Sequence, residues 1–243
     1  MSQSSRTLFI SDLHLDQDSP DITRLFLQFL SDLKPSDTLY ILGDLFETWI
    51  GDDHDIPYHH DIIAALKTAT QTGIPIYFLH GNRDFLISKR FIEATGCQLL
   101  PDETKLNLYG KSVLIMHGDT LCTSDIAYIR ARKIMRNPFL KTIFLSLPIN
   151  IRLRIAHHLR QKSMQHTATT AYEIMDVTEK EVSRIMQKHA VTTLIHGHTH
   201  RLGTHTFTRD ETCSTRIVLG AWHEQGSVLI WNASGERELI TFP

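Results

Sequence analysis

The chain has 243 residues, 42% hydrophobic and 21% charged, with a formal net charge of -2. This is the composition of one large or two small globular domains; it excludes disordered, collagen-like and coiled-coil chains, and the near-zero charge excludes a wholly basic nucleic-acid binder. Three scattered cysteines (Cys97, Cys122, Cys213) make neither a disulfide framework nor a zinc knuckle, no run approaches the ~18 apolar residues of a membrane span, and with no export signal in view, reduced thiols in the cytoplasm are expected.

One local design then recurs five times along the chain. A short apolar run ends in a polar tip: TLFI then SDLHL, TLYIL then GDLFE, PIYFL then HGNRD, SVLIM then HGD, and TTLI then HGHTH. Such runs read as fully buried strands. Between the first tips lie helical patterns. Residues 21–33 place Ile22, Leu25, Phe26, Phe29, Leu30 and Leu33 on one face, and residues 60–70 do the same with Ile62, Ile63, Leu66 and Ala69. Strand, helix, strand predicts a layered α/β fold, in which ligands sit beyond the carboxyl ends of the strands. Every unusual polar cluster here lies at such an end.

Tip spacing locates an insertion. Asp12 to Asp44 is 32 residues, Asp44 to Asn82 is 38 and Asn82 to His117 is 35, but His117 to His198 is 81. The surplus falls where the charge changes sign. Residues 126–172 hold no Asp or Glu and nine basic side chains: Arg130, Arg132, Lys133, Arg136, Lys141, Arg152, Arg154, Arg160 and Lys162. Removing them leaves 16 basic and 27 acidic groups, a balance of -11. Residues 121–172 are therefore expected to form a helical cap, broken by Pro138 and Pro148, inserted within a single domain spanning 1–243. Apolar residues interleaved with Lys and Arg suit an interfacial element on anionic lipid. Tyr128, Phe139, Phe144 and Tyr172 are too few for base stacking, and no nucleic-acid partner is expected. Beyond residue 200, the runs 204–208, 216–219, 227–231 and 237–241 predict antiparallel strands completing a second sheet.

The tips collect Asp12, His14, Asp44, Asn82, His117, His198 and His200. Carboxylate, imidazole and amide donors without thiolate suit Mn, Fe, Co or Zn in a reactive rather than a structural site. Seven donors exceed the need of one ion and suit two ions about 3.5–4 Å apart, with Asp44 as the natural bridge. Asp84 reads as a structural partner of the site, His196 as a packed or supporting histidine, Cys122 as a small buried apolar group, and most other histidines as surface groups.

The tips DLH, GDLFE, GNRD, HGD and GHTH resemble, in order, the five motifs of the calcineurin-like metallophosphoesterases. The resemblance spans residues 10–200 and implies a four-layer αββα sandwich. It implies one ion on Asp12, His14, Asp44 and His200, and a second on Asp44, Asn82, His117 and His198. The family's third motif is usually GNHD; here Arg83 replaces the His. An arginine grips phosphate but donates no proton at neutral pH, so a leaving group that needs no acid is expected, as in a diphosphate.

The longer matches GDLFETWIGDD, HGNRDFL, HGDTLCTSD and IHGHTHR are similar to the lipid A branch of that family. They imply Mn²⁺-dependent hydrolysis of UDP-2,3-diacylglucosamine to UMP and 2,3-diacylglucosamine 1-phosphate. Asp44, Asn82, Arg83 and His117 would carry catalysis, with Asn82, Arg83, Asp125, Ser163 and His198 contacting substrate. Thr167 and Thr170 stand where the branch has Asn and Lys, so a positive charge is lost there. The substrate places the protein peripherally on the cytoplasmic side of the inner membrane, with no obligate protein partner. The alternatives are another two-metal phosphodiesterase, acting on cyclic nucleotides or nucleic acid, and a scaffold that has lost its metals.

Overall fold

A computed structural model describes residues 5–169, 174–209 and 212–243. The chain forms β1 (Arg6–Ile10), α1 (Pro20–Ser31), β2 (Asp37–Ile41), α2 (Pro57–Gln71), β3 (Ile76–Phe78), α3 (Lys89–Thr95), β4 (Gln98–Leu99), β5 (Glu103–Leu108) and β6 (Lys111–Met116). It continues with α4 (Ile126–Met135), α5 (Pro138–Ser146), α6 (Ile149–Thr169), α7 (Glu179–Lys188), β7 (Thr193–His196), β8 (Gly203–Arg209), β9 (Thr212–Val218), β10 (Gly226–Asn232) and β11 (Arg237–Phe242). Two sheets result, ordered β11-β10-β1-β2-β3-β4 and β5-β6-β7-β9-β8.

Strand alternation explains why the runs are apolar throughout. In β1 and β2, Leu8, Ile10, Leu39 and Ile41 face Phe26, Phe29, Ile62 and Leu66 of α1 and α2. Their neighbours Phe9 and Tyr40 face Val113, Ile115, Ile195 and Ile217 of the other sheet. On that sheet's far side, Leu114, Met116 and Leu194 meet Val182, Ile185 and Met186 of α7. The central strands β1, β2 and β7 are buried on both faces, and the order helix, sheet, sheet, helix is the αββα sandwich.

The C-terminal strands depart from expectation. They do not complete one sheet. The β8–β9 hairpin joins the second sheet, with β9 parallel to β7. The β10–β11 hairpin instead crosses to the first sheet, where β10 pairs antiparallel with β1. Packing drives this. Leu229 and Trp231 of β10 enter the core between the sheets, while Val228 and Trp222 pack on the helix side. Trp222 also lies edge-on to Phe26, Phe29 and Phe242.

Helices α4, α5 and α6 fill the surplus between β6 and α7. Asp125 caps α4 by accepting from Tyr128 N–H, and Asn137 caps α5 by accepting from Phe139 and Leu140 N–H. No residue of α4 or α5 is buried. Phe144 of α5 packs partly buried against the first core, and the rest of the attachment is polar. Arg132 and Arg136 pair with Asp102, at 3.0 Å each. Arg132 Nε also meets the buried Asp119, and Arg136 donates to Gly81 O at 2.8 Å. Lys141 donates to Phe85 O at 3.1 Å. Arg152, only 1% exposed, donates to Ile50 O and to Asp53 Oδ1, both at 2.8 Å. Arg160 pairs with Glu47.

Candidate metal centre

The five tips meet along one edge of the sandwich. The first sheet delivers Asp12 and His14 after β1, Asp44 after β2, and Asn82 and Arg83 after β3; the second delivers His117 after β6, and His198 and His200 after β7. The backbone there is unusual. Seven described non-glycine residues have positive φ, and five of them are Asp12, His14, Asp44, His198 and His200. That region costs a residue with a Cβ of the order of 1–3 kcal/mol, and it persists where surrounding structure enforces it. Here the enforcement is a set of main-chain bonds between tips. Asp12 N–H donates to Gly43 O (3.1 Å), His14 N–H to Asp44 O (3.0 Å), Gly197 N–H to His117 O (2.8 Å) and Trp222 N–H to Asp12 O (3.0 Å).

Glycines permit this crowding. A Cβ on Gly81 would stand 2.0 Å from Asp44 Oδ1, and one on Gly197 1.9 Å from Ser11 Oγ. Gly43 adopts φ +89°, and a Cβ there would meet Gly81 N at 2.3 Å. At Gly81 and Gly197 the missing Cβ leaves room for the carboxylates of Asp44 and Asp12, and at Gly43 for the Gly81 main chain.

Side-chain bonds aim the donors. Arg83 N–H donates to Asp44 Oδ1 at 2.8 Å, and His198 N–H to Asp12 Oδ2 at 2.9 Å. His117 donates from Nδ1 to Leu42 O at 2.9 Å, which leaves Nε2 facing inwards, 3.0 Å from Asn82 Oδ1 and 3.7 Å from Asp44 Oδ2. His14 Nε2 lies 3.8 Å from Asp44 Oδ2 and 3.3 Å from His200 Nε2. The ligand atoms of Asp12, His14 and His200 all lie within 4.8 Å of one another, as do those of Asp12, Asp44 and His117. His198 stands beside the second group, its ring 5.1 Å from that of His117.

The donor set fits divalent cations. Asp12 is fully buried, yet its Oδ1 has no hydrogen-bond partner; such an atom is costly unless something cationic meets it. Burial alone would raise the Asp12 carboxyl, but His200, His117 and His14 hold it well below the usual range. Burial opposes charge on His117 too, but Asp44, Asp12 and Asp119 outweigh it and push it up. His198 is driven down to about 4 by burial and by His117. Asp84, buried beside Asp44, is pushed up to about 7, first by burial and then by that neighbour's charge. It accepts from Leu45 and Gly81 N–H, both at 2.8 Å, and so splints two tips together.

The expected substrate contacts are spread over the cap. Asp125 is buried and pairs with His166 Nε2 at 2.7 Å while capping α4. Ser163 is half-buried on α6. Thr167 also lies on α6, and Thr170 lies outside the described residues. Three participants were not read from sequence. Glu47 contacts His14; Asp119 accepts from Tyr128 Oη at 2.7 Å; and Tyr128 places its ring 5.8 Å from that of His198. The acids inside GDLFE and HGD were the available signals. One reading of a histidine is corrected. His59 is not a surface group: it is buried, stacked on Trp49 at 4.9 Å and against Phe46 at 4.5 Å. Helix α2 starts at Pro57, one residue pair before it and earlier than the apolar pattern suggested.

The chain belongs to the calcineurin-like phosphoesterase family, whose sequence model matches residues 5–202. Two full-length relatives refine the comparison. A UDP-2,3-diacylglucosamine hydrolase of Enterobacter sp. (strain 638) is 52% identical over 238 residues, covering 98% of this chain and 99% of the relative. The UDP-2,3-diacylglucosamine hydrolase of Escherichia coli O6:H1 (strain CFT073) is 50% identical with the same coverage. Among solved structures, an archaeal phosphodiesterase is 12% identical with a TM-score of 0.47, covering 98% of this chain and 99% of its own.

Proposed function

We propose that this protein hydrolyses the diphosphate of UDP-2,3-diacylglucosamine to UMP and 2,3-diacylglucosamine 1-phosphate at a two-Mn²⁺ centre. One observation carries the reading: the seven donors named from sequence converge on one edge of a chain that matches hydrolases named for this substrate over 98% of its length.

Asp12, His14, Asp44 and His200 would hold one ion, and Asp44, Asn82, His117 and His198 the other. Such a pair supplies an activated water and neutralises phosphoryl charge. The chain's own groups do the rest. Arg83 supplies a second positive grip on the diphosphate. Its Nε is buried without a hydrogen-bond partner, and its main-chain N–H is already committed to Asp44. Its guanidinium stabilises the charge that builds up during P–O cleavage. The departing group is itself a phosphate monoester, a good leaving group, so no protonated histidine is required in the third motif. The Nδ1–H bond to Leu42 O fixes His117 with Nε2 beside Asn82 Oδ1, both free to face an ion next to Asp44.

The cap comprising α4–α6 is the proposed lipid-facing element, with Asp125, Ser163, Thr167 and Thr170 as substrate contacts. Its solvent face carries Phe139 at 71% exposure, Ile126 and Ile134 at 60% and Met164 at 57%, beside the exposed Arg130, Lys133, Arg154 and Lys162. No described helix is long and apolar enough to cross a membrane. Peripheral attachment to an anionic cytoplasmic leaflet fits such a face.

The test is phosphorus NMR of UDP-2,3-diacylglucosamine incubated with protein and Mn²⁺ in ¹⁸O-labelled water, with and without chelator. Chelator-sensitive release of UMP and the sugar 1-phosphate is expected. Mn²⁺-dependent cleavage of a simple phosphodiester, with this substrate left intact, would retain the centre and overturn the substrate.

A further inference from the structure

Glu47 sits three residues beyond Asp44 and belongs to neither expected ligand set. Its place is fixed by the main chain: Leu15 N–H donates to Leu45 O at 2.9 Å, and Glu47 N–H donates to Leu15 O at 3.1 Å. The side chain therefore runs alongside the His14 tip. Its two oxygens face different partners. Oε2 lies 3.0 Å from His14 Nδ1, and Oε1 meets the Arg160 guanidinium of α6. His14 Nε2 is on the opposite side of the ring, turned towards Asp44 and His200.

We propose that Glu47 is a positioning residue that couples the metal centre to the cap: its carboxylate fixes His14 in ligand orientation, and Arg160 of α6 fixes the carboxylate. The contact is an ion-pair approach, outside hydrogen-bond alignment in this structure; a carboxylate that close to Nδ1 favours the proton there, which leaves Nε2 free and makes that nitrogen a better donor. Among the described residues, Arg160 is the only cap residue in this chain of contacts. A movement of α6 therefore changes the hold on His14, and occupancy at His14 changes the hold on α6, by reciprocity of linked equilibria.

The inference rests on the two-ion reading. Its test is calorimetric titration of the full-length protein with Mn²⁺, in wild type, Glu47→Ala, Glu47→Gln, Arg160→Ala and the Glu47→Ala/Arg160→Ala double variant. Circular dichroism checks that each is folded. Loss of a supporting carboxylate costs about 10–100-fold in metal affinity, and Glu47→Ala should lose that much for one ion of the two. Glu47→Gln keeps an acceptor for Nδ1–H and should recover most of the loss. Arg160→Ala should weaken the same ion by several-fold and add nothing in the Glu47→Ala background.

Two strong sites in wild type, with Glu47→Ala indistinguishable from it, would overturn the inference and leave the two-ion reading standing. An Arg160→Ala effect undiminished without Glu47 would overturn the coupling. A wild-type protein that binds fewer than two ions would overturn the reading beneath. If Glu47→Ala does not fold, the cycle of Glu47→Gln with Arg160→Ala decides: non-additive losses support the coupling and additive losses refute it.

Discussion

Gly81→Ala tests the idea that the motif glycines are space reserved for a ligand. A Cβ at this position would stand 2.0 Å from Asp44 Oδ1, 2.3 Å from Asp44 N and 2.7 Å from Asp44 Cγ. An ordinary carbon–oxygen contact exceeds 3 Å, so something must move by about 1 Å. Neither side yields easily. Gly81 N–H is held by Asp84 and its carbonyl by Arg136, while Asp44 is held by Arg83 N–H and by its own constrained backbone. The conflict therefore lands on the proposed bridging carboxylate. Overpacking of this kind costs about 1–3 kcal/mol, which in a chain of this size lowers Tm by roughly 2–12 °C. A misplacement near 1 Å at reacting groups costs of the order of 10² in rate. The expected variant is folded, somewhat less stable, and reduced at least 100-fold in kcat, with weakened Mn²⁺ binding. Gly73→Ala is the control. It also has positive φ (+91°), but nothing lies within 4 Å of its Cβ; it should lose about 1 kcal/mol and keep full activity. Turnover by Gly81→Ala within threefold of wild type, at saturating Mn²⁺, would refute the reasoning.

Three further expectations follow from named contacts. Arg83→Ala should lower kcat by roughly 10²–10³, the size of one lost transition-state donor; steady-state kinetics showing an unchanged rate would make Arg83 structural. His59 is held neutral in the folded protein, its pKa driven down to about 4 by burial and then by His54 and His60. The unfolded chain, with an ordinary histidine, binds a proton between about pH 6.5 and 4 that the fold does not. Stability should therefore be full above pH 7 and fall as pH drops through that window, by at most about 3 kcal/mol from this group; denaturant titrations of His59→Phe should show a shallower fall, and an identical slope would refute the assignment. Arg152→Met should destabilise by about 2 kcal/mol, mostly from the unpaired Ile50 carbonyl, because Asp53 is half-exposed and its pairing is worth less. Thermal unfolding should register a drop of roughly 4–8 °C, and limited proteolysis should show faster cleavage between α5 and α6.

The fold and centre were unequally legible in the sequence. The five tips could be read because each is local: an apolar run long enough to be a buried strand, cut off by donors and a glycine within five residues. Helices α1 and α2 could be read for the same reason. The partners of β10 could not, since its alternation fits either sheet and only the packing of Leu229 and Trp231 against Phe9 and Ile195 decides. The hairpin of β5 was hidden because the exposed Lys105 and Asn107 alternate with Leu106 and Leu108, so no apolar run marks the strand. Helix α7 was hidden because only Val182, Ile185 and Met186 face the core. Glu47 and Asp119 lay inside motifs whose other members drew the attention. His59 was misjudged because its burial depends on Trp49 and Phe46, residues that α2 meets only in the folded chain.

The charge asymmetry shows how a sequence signal can be genuine and serve two ends. The basic insertion suggested a surface for anionic lipid. The structure turns much of that charge inwards: Arg132, Arg136, Lys141, Arg152 and Arg160 all reach acids or carbonyls of the body. With no fully buried residue in α4 or α5, these contacts attach those helices together with Phe144, which packs partly buried against the core. Only Arg130, Lys133, Arg154 and Lys162 remain turned outwards. A cap held by ion pairs at its rim is easier to move than one held by core packing, because partly exposed pairs contribute little individually. On the proposed reading, such a cap would admit a two-chain substrate and still report its position to His14 through Arg160.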